Sequence, residues 1–412
     1  MNDASAMEIG AWVTTAGLAG AAELDLLHGF CERAAAAGLP LARALVLIDT
    51  LHPIHEGRVF RWSRAPAPDE RTVIEYGRTS EGGAAAERWR SSPFYHLLET
   101  GGSALRRNLA RGDPADFASI DELRSQGQTD YLALIHRFAA DGIIGEMDCV
   151  YSSWTTDAPS GFADGQVQAL TGLVPALALA VKCASLSRIA GTLVETYLGR
   201  DAGRRVLSGR IIRGVAERIG AVLWFSDLRG FTRITDEAPP EQVIPLLNDY
   251  AEAIISSVHE AGGDVLKLIG DGTLAIFKAD DPARACRYAL EAEALTRERI
   301  EALNGRRAAE GLPVTRPYLG LHIGEVFYGN IGSPDRLDFT VVGPAVNEAS
   351  RIAAMCRSAE RGVLLSSAFV AAACEEDRAA FVSVGRYAFR GVGGAQELFT
   401  LEREVGGLNR RG

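Results

Sequence analysis

The chain has 412 residues, 47% apolar and 23% charged, with 53 acidic against 43 basic side chains for a net charge of −10. That length suggests two domains, each able to bury a core, and the composition excludes a disordered chain. The acidic balance excludes broad nucleic-acid binding, because no basic excess is available to neutralise phosphates.

Residues 1–17 read as an N-terminal tail without the basic region and apolar core of a signal peptide. From 18 to 186 helical and strand patterns mix in one unit. AAELDLLHGFCERAAAA is helical, and ARALVLIDTL, RVFRWSRA, TVIEYGR, DYLALIHRFA and GEMDCVYSSW are strand-like by their β-branched and aromatic content. Asp164 then opens a long helix whose most apolar part, 167–181, contains Gln168, Thr171 and Pro175. It is too short to span a bilayer and reads as a buried or dimer-facing helix, so no membrane span is expected. Gly191, Gly199, Gly203, Gly209 and Gly214 make residues 187–216 a jointed helical linker. Residues 217–402 alternate strands and helices in a second domain, and 403–412 form a tail. Six scattered cysteines with no CxxC pair read as reduced thiols of a cytoplasmic protein.

The chemistry gathers in the second domain. In AVLWFSDLRGFT an apolar strand from Ala221 to Phe225 ends beside Asp227, which either caps the turn or faces a cleft. GGDVLKLIGDGTLAIF reads as a hairpin, with strands Asp264 to Ile269 and Thr273 to Phe277 around Gly270-Asp271-Gly272. Two strand-end aspartates beside glycines offer the oxygen ligands that Mg²⁺ or Mn²⁺ requires. Alternation puts Lys267 on the face of Val265 and Ile269, where an unpaired ammonium is costly, so it either snorkels or meets a polar ligand.

FSDLRGFT, GGDVLKLIGDGTLAIF, GLHIGEVFYGNIG and FTVVGPAVNEASRI occur in the order and spacing of the class III adenylate and guanylate cyclases, which residues 217–402 resemble. The resemblance implies an α+β chain whose second domain has a ferredoxin-like βαββαβ core and dimerises head to tail. It assigns two divalent metal ions to Asp227, Asp271 and the backbone carbonyl of Leu228. Lys267 and Thr340 take the purine-reading positions, Asn347 the ribose-orienting one and Arg351 the transition-state arginine; Phe231 and Thr232 count with the substrate-binding residues. Asn347 and Arg351, four apart, share one face of a helix. Thr340 stands where many adenylate cyclases carry Asp, as in the class IIIb subgroup, and its hydroxyl can accept from the adenine amino group. Arg390 replaces a phosphate-binding lysine and keeps the charge. Guanine would call for an acceptor at Lys267, so the substrate implied is ATP. Each site would take its metal aspartates from one copy and Lys267, Thr340, Asn347 and Arg351 from the other.

The first domain closes with a strand, a short loop and a long helix, CVYSSWTTDAPSGFADGQVQALTGLVPALALAV, which resembles the end of a GAF domain. GAF domains are related to PAS domains and commonly bind small ligands or dimerise, so a sensory α+β module with an unidentified ligand is implied. His52, His55, His96 and His136 have no supporting motif and read as packed or surface residues. The expectation is a regulated, homodimeric adenylate cyclase. Its alternatives are a guanylate cyclase and a catalytically degenerate nucleotide-binding or dimerisation module.

Overall fold

The computed structural model describes residues 1–67, 70–139, 144–145, 147–388 and 395–406. The chain divides into two compact units, Met1–Leu193 and Val194–Gly412.

In the first unit, helices α1 (Asp3–Leu18) and α2 (Glu23–Ala36) precede strands β1 (Arg43–Asp49), β2 (Gly57–Ser63) and β3 (Val73–Tyr76). Short helices α3 (Gly83–Arg90) and α4 (Pro93–Glu99), strand β4 (Ala104–Arg107) and helix α5 (Ala118–Ser125) lead to β5 (Asp130–Arg137) and β6 (Cys149–Thr156). The strands form one antiparallel sheet in the order β3-β2-β1-β6-β5-β4. Both faces are covered, and the period-2 alternation of the strands feeds two cores. Val46, Ile48, Leu132, Leu134 and Trp154 meet α1, α2 and the long helix α6 (Asp164–Leu198) on one side. Leu47, Tyr131, Ala133, Ile135 and Tyr151 meet Phe94, Leu97 and Ile120 on the other.

Two expectations need correction here. Residues 1–17 are a helix rather than a tail: the Asn2 side chain caps it by accepting from the Ser5 amide at 2.8 Å, and Ile9 and Val13, one turn apart, are buried. Alanines and glycines around those two residues leave no broad apolar stripe to announce it. The segment read as jointed from 187 is continuous helix to Leu198, and the break comes at Gly199, which takes φ 85° ahead of α7 (Arg200–Leu207). Helix α6 runs through Gly191 because tertiary contacts hold it there: Ile189 is buried, and Arg188 donates to Glu23 at 2.9 Å. Glycine costs a helix interior only about 1 kcal/mol. Among the described residues α6 is the one helix long and apolar enough to cross a membrane by length and composition.

The second unit opens on β7 (Ala216–Leu228), followed by α8 (Phe231–Glu237), α9 (Pro240–Glu260), β8 (Asp264–Ile269), β9 (Gly272–Lys278), α10 (Pro282–Ala309) and β10 (Pro317–Ser333). Then come β11 (Arg336–Val342), α11 (Pro344–Ala359), β12 (Val363–Ser366), α12 (Ser367–Ala372), α13 (Glu375–Arg378), β13 (Phe381–Ala388), β14 (Ala395–Leu401) and α14 (Glu402–Gly406). The sheet order is β13-β14-β12-β10-β7-β9-β8, with β11 paired to β10. Its centre, β10-β7-β9-β8, is a βαββαβ arrangement in which α9 and α10 are the two crossovers. Val222, Trp224, Ala275 and Phe277 face those helices, and Ala221, Leu223, Leu274 and Ile276 face α11. Central strands sandwiched in this way read as continuous apolar runs, which is why Ala221 to Phe225 shows no alternation.

Candidate active site

Strand β7 carries Asp227 to its end, one residue before the buried Leu228. The β8–β9 hairpin closes through two residues, Gly270 and Asp271, with Ile269 paired to Gly272. Gly270 takes φ 61°, a left-handed conformation that disfavours side chains, and so turns Asp271 back toward β7. The Leu228 amide donates to Asp271 Oδ2 at 3.2 Å, and the carboxyls of Asp227 and Asp271 meet. Partial withdrawal from water, the hydrogen bond with Asp271 and the repulsion of its charge together push Asp227 up to about 6. Two carboxylates forced together so that one tends to keep its proton are a place where a cation can take the proton's role.

Lys267 lies on the same hairpin, but strict alternation does not hold. Val265 pairs with Ala275 and Lys267 with Leu274, so β8 carries one extra residue, a bulge at Leu266. Val265 and Leu266 are both buried, while Lys267, Leu268 and Ile269 are exposed. The ammonium is therefore on the surface, where it forms an ion pair with Asp338 of β11. Asp338 was not singled out from the sequence, although its place two residues before Thr340 puts both on one side of a strand. Thr340 is half-buried, and its strand pairs with β10 through Gly329.

Asn347 and Arg351 sit one turn apart on α11. That helix is seated on β10 by a close backbone approach. A Cβ at Gly320 would lie 2.5 Å from the Ala353 nitrogen and 2.6 Å from the Ala349 oxygen. Behind α11, His322 Nε2 lies 3.2 Å from Glu348 and its Nδ1 is 2.9 Å from the Ser366 hydroxyl, an anchor that no local motif signals. Burial pushes the His322 pKa down, and Glu348 opposes it. Among the described residues neither Asn347 nor Arg351 has a hydrogen-bond or ion-pair partner.

Phe231 is half-buried against the cluster of Leu228, Ile234, Leu246 and Tyr250, and Thr232 is exposed beside it in the first turn of α8. Arg390 lies outside the described residues. The chain thus brings Asp271 to Asp227 and Leu228, and Lys267 to the strand of Thr340. No hydrogen bond or ion pair among the described residues joins Asn347 or Arg351 to the aspartates.

Residues 216–403 match the family model of the adenylate and guanylate cyclase catalytic domain. The second unit carries a nucleotide cyclase catalytic domain. The chain is 30% identical over 219 residues to adenylate cyclase 1 of Rhizobium meliloti (strain 1021), a match covering 52% of this chain and 32% of that protein. It is 34% identical over 161 residues to the adenylate cyclase of Anabaena cylindrica, covering 38% of this chain and 31% of that one. The chain therefore spans about a third of the length of these curated relatives. Among solved structures, the adenylyl cyclase CyaB of P. aeruginosa is similar with 25% identity and a TM-score of 0.41, covering 45% of this chain and 95% of that one.

Class III cyclases use divalent metals, and the cyclase domain here has a donor set that suits hard cations. Among the described residues no group of three or more His, Cys, Asp or Glu side chains gathers as a complete cage. The Asp227–Asp271 pair is open instead, leaving coordination positions to main-chain oxygen, water or phosphate, which is how Mg²⁺ is commonly held.

Proposed function

We propose that the chain is an adenylate cyclase, converting ATP to 3′,5′-cyclic AMP and pyrophosphate at sites shared between two copies. The observation that carries this reading is the meeting of Asp227 and Asp271, two carboxyls from separate turns with Asp227 raised to about 6. With the Leu228 carbonyl they would hold two divalent cations, Mg²⁺ or Mn²⁺, whose chemistry is Lewis acidity toward the ribose hydroxyl and the triphosphate. In the reaction the ribose 3′-oxygen bonds to the α-phosphorus, the bond from that phosphorus to the bridging oxygen breaks, and pyrophosphate leaves.

The residues divide the remaining work. Lys267 donates toward the adenine ring and Thr340 accepts from its amino group. Phe231 and Thr232 line the nucleotide's side of the aspartate pair, Asn347 orients the ribose, and Arg351 stabilises charge growing on the α-phosphoryl oxygens. Arg390 binds phosphate. That neither Asn347 nor Arg351 has a hydrogen-bond or ion-pair partner among the described residues supports a site completed by a second copy. The names of the two curated relatives and the ammonium of Lys267 favour ATP over GTP. The antiparallel sheet of the first unit, with β6 leading through a short loop into the 35-residue α6, supports a GAF-like sensory module with a small-molecule ligand.

The test is product formation by the purified full-length chain, given ATP or GTP with Mg²⁺ or Mn²⁺. Cyclic AMP from ATP, abolished by Asp271→Ala, is the expected result. Cyclic GMP as the main product would make it a guanylate cyclase, and no product with any combination would favour the degenerate module.

A further inference from the structure

The ion pair between Lys267 and Asp338 joins the strand that leaves the β8 bulge to the strand that bears Thr340. We propose that Asp338 is the positioning residue that aims Lys267 at adenine and thereby sets the preference for ATP over GTP. This deepens the reading above and rests on Lys267 being the purine-reading lysine.

The bulge delivers Lys267 to solvent, where four rotatable bonds would let its ammonium wander. Asp338 is its one ion-pair partner among the described residues. It engages one of the three ammonium N–H groups and leaves two to be presented. The strand that holds Asp338 is itself fixed. Phe339 is buried and meets the Tyr328 ring edge-on, with centroids 4.8 Å apart and planes at 89°. With Phe339 turned inward, strand alternation turns Asp338 and Thr340 to the opposite side together. Carboxylate, ammonium and hydroxyl are then ordered along one edge.

The chemistry of the two purines makes that order selective. Adenine offers an acceptor at N1 beside a donor amino group, which an aimed ammonium and a hydroxyl oxygen complement. Guanine offers a donor at N1, so an ammonium fixed at the same place faces a donor and leaves the base unpaired. A freely moving lysine could retreat and discriminate less. The side chains of Lys267 and Asp338 are 47% and 42% exposed, and exposed ion pairs contribute little to folding. The pair is therefore better explained by function than by stability.

The experiment measures kcat and KM for ATP and GTP on the full-length chain, comparing the unaltered protein with Asp338→Ala, Asp338→Glu, Lys267→Ala and the double variant Asp338→Ala/Lys267→Ala. Asp338→Ala should raise the KM for ATP about tenfold with kcat within about twofold, as loss of one charge-assisted contact would. The KM for GTP should stay within about twofold, Asp338→Glu should recover most of the loss, and in the Lys267→Ala background Asp338→Ala should add nothing. Equal losses for ATP and GTP, a fall in kcat with KM unchanged, or an added loss in the double variant would overturn the proposal. If Lys267→Ala raises the KM for ATP and Asp338→Ala does not, the proposal fails and the purine reading stands. If Lys267→Ala has no effect either, both fail. Direct titration of ATP and GTP against the same proteins reads the same selectivity without turnover.

Discussion

The amide of Leu228 donates to the carboxylate of Asp271 at 3.2 Å, tying the end of β7 to the turn of the β8–β9 hairpin. Asp227, the residue before Leu228, is thereby held against Asp271 although 43 positions separate Leu228 from Asp271 in the chain.

Asp227 should titrate near 6 in metal-free buffer; burial, its largest cause, would persist in Asp271→Asn, but loss of the facing charge should lower the midpoint part of the way toward the ordinary 3.8. The folded chain holds this proton more tightly than the unfolded one. Its contribution to stability is therefore present below the ordinary carboxyl range and is lost as pH rises through about 6. Carboxyl-resolved NMR titration reads this directly. An unaltered Asp227 midpoint in Asp271→Asn would show that the two carboxyls do not sense each other.

Gly320→Ala should destabilise the cyclase unit by about 1–3 kcal/mol, since the new methyl would press on the backbone of Ala349 and Ala353, which cannot rotate away. Activity should fall as well, because α11 carries Asn347 and Arg351. Gly305→Ala, in α10 with nothing within 4 Å of the new methyl, should instead be neutral or stabilising by up to about 1 kcal/mol. Urea unfolding of the two variants gives the comparison; equal midpoints would refute the close packing of α11 on β10.

Arg351→Ala should cut kcat by about 100-fold or more and leave the unfolding midpoint unchanged, because the side chain has no hydrogen-bond or ion-pair partner among the described residues. If sites are shared between copies, mixing Arg351→Ala with Asp271→Ala should restore about a quarter of the unaltered activity. Half of randomly paired dimers would be mixed, and each of those would hold one intact site of two. No recovery after demonstrated subunit exchange would argue for sites completed within one chain.

The motifs around Asp227, Asp271, Asn347 and Arg351 were legible in the sequence because each is local. An apolar run followed by Asp and Gly marks a strand end, a GDG triplet marks a hairpin, and a spacing of four marks one side of a helix. The same period-2 reasoning failed at Lys267. Val265 and Leu266 are both apolar, and only pairing with β9 shows that one of them is the extra residue of a bulge. Helix α1 escaped notice because its two buried residues, Ile9 and Val13, matter only once α2 and α6 are present to cover them.

The sequence by itself determined which chemical groups this protein owns and the local turns that present them, since strand ends, glycine turns and helical spacing depend on near neighbours. Tertiary structure alone decided which groups meet. Asp271 reaches Leu228, and Lys267 reaches Asp338 71 positions away, because β7 and β9 pair and β11 folds back along β10. Such partners are chosen by sheet order and register, which arise from burial summed over the whole core, so no window of the sequence contains them.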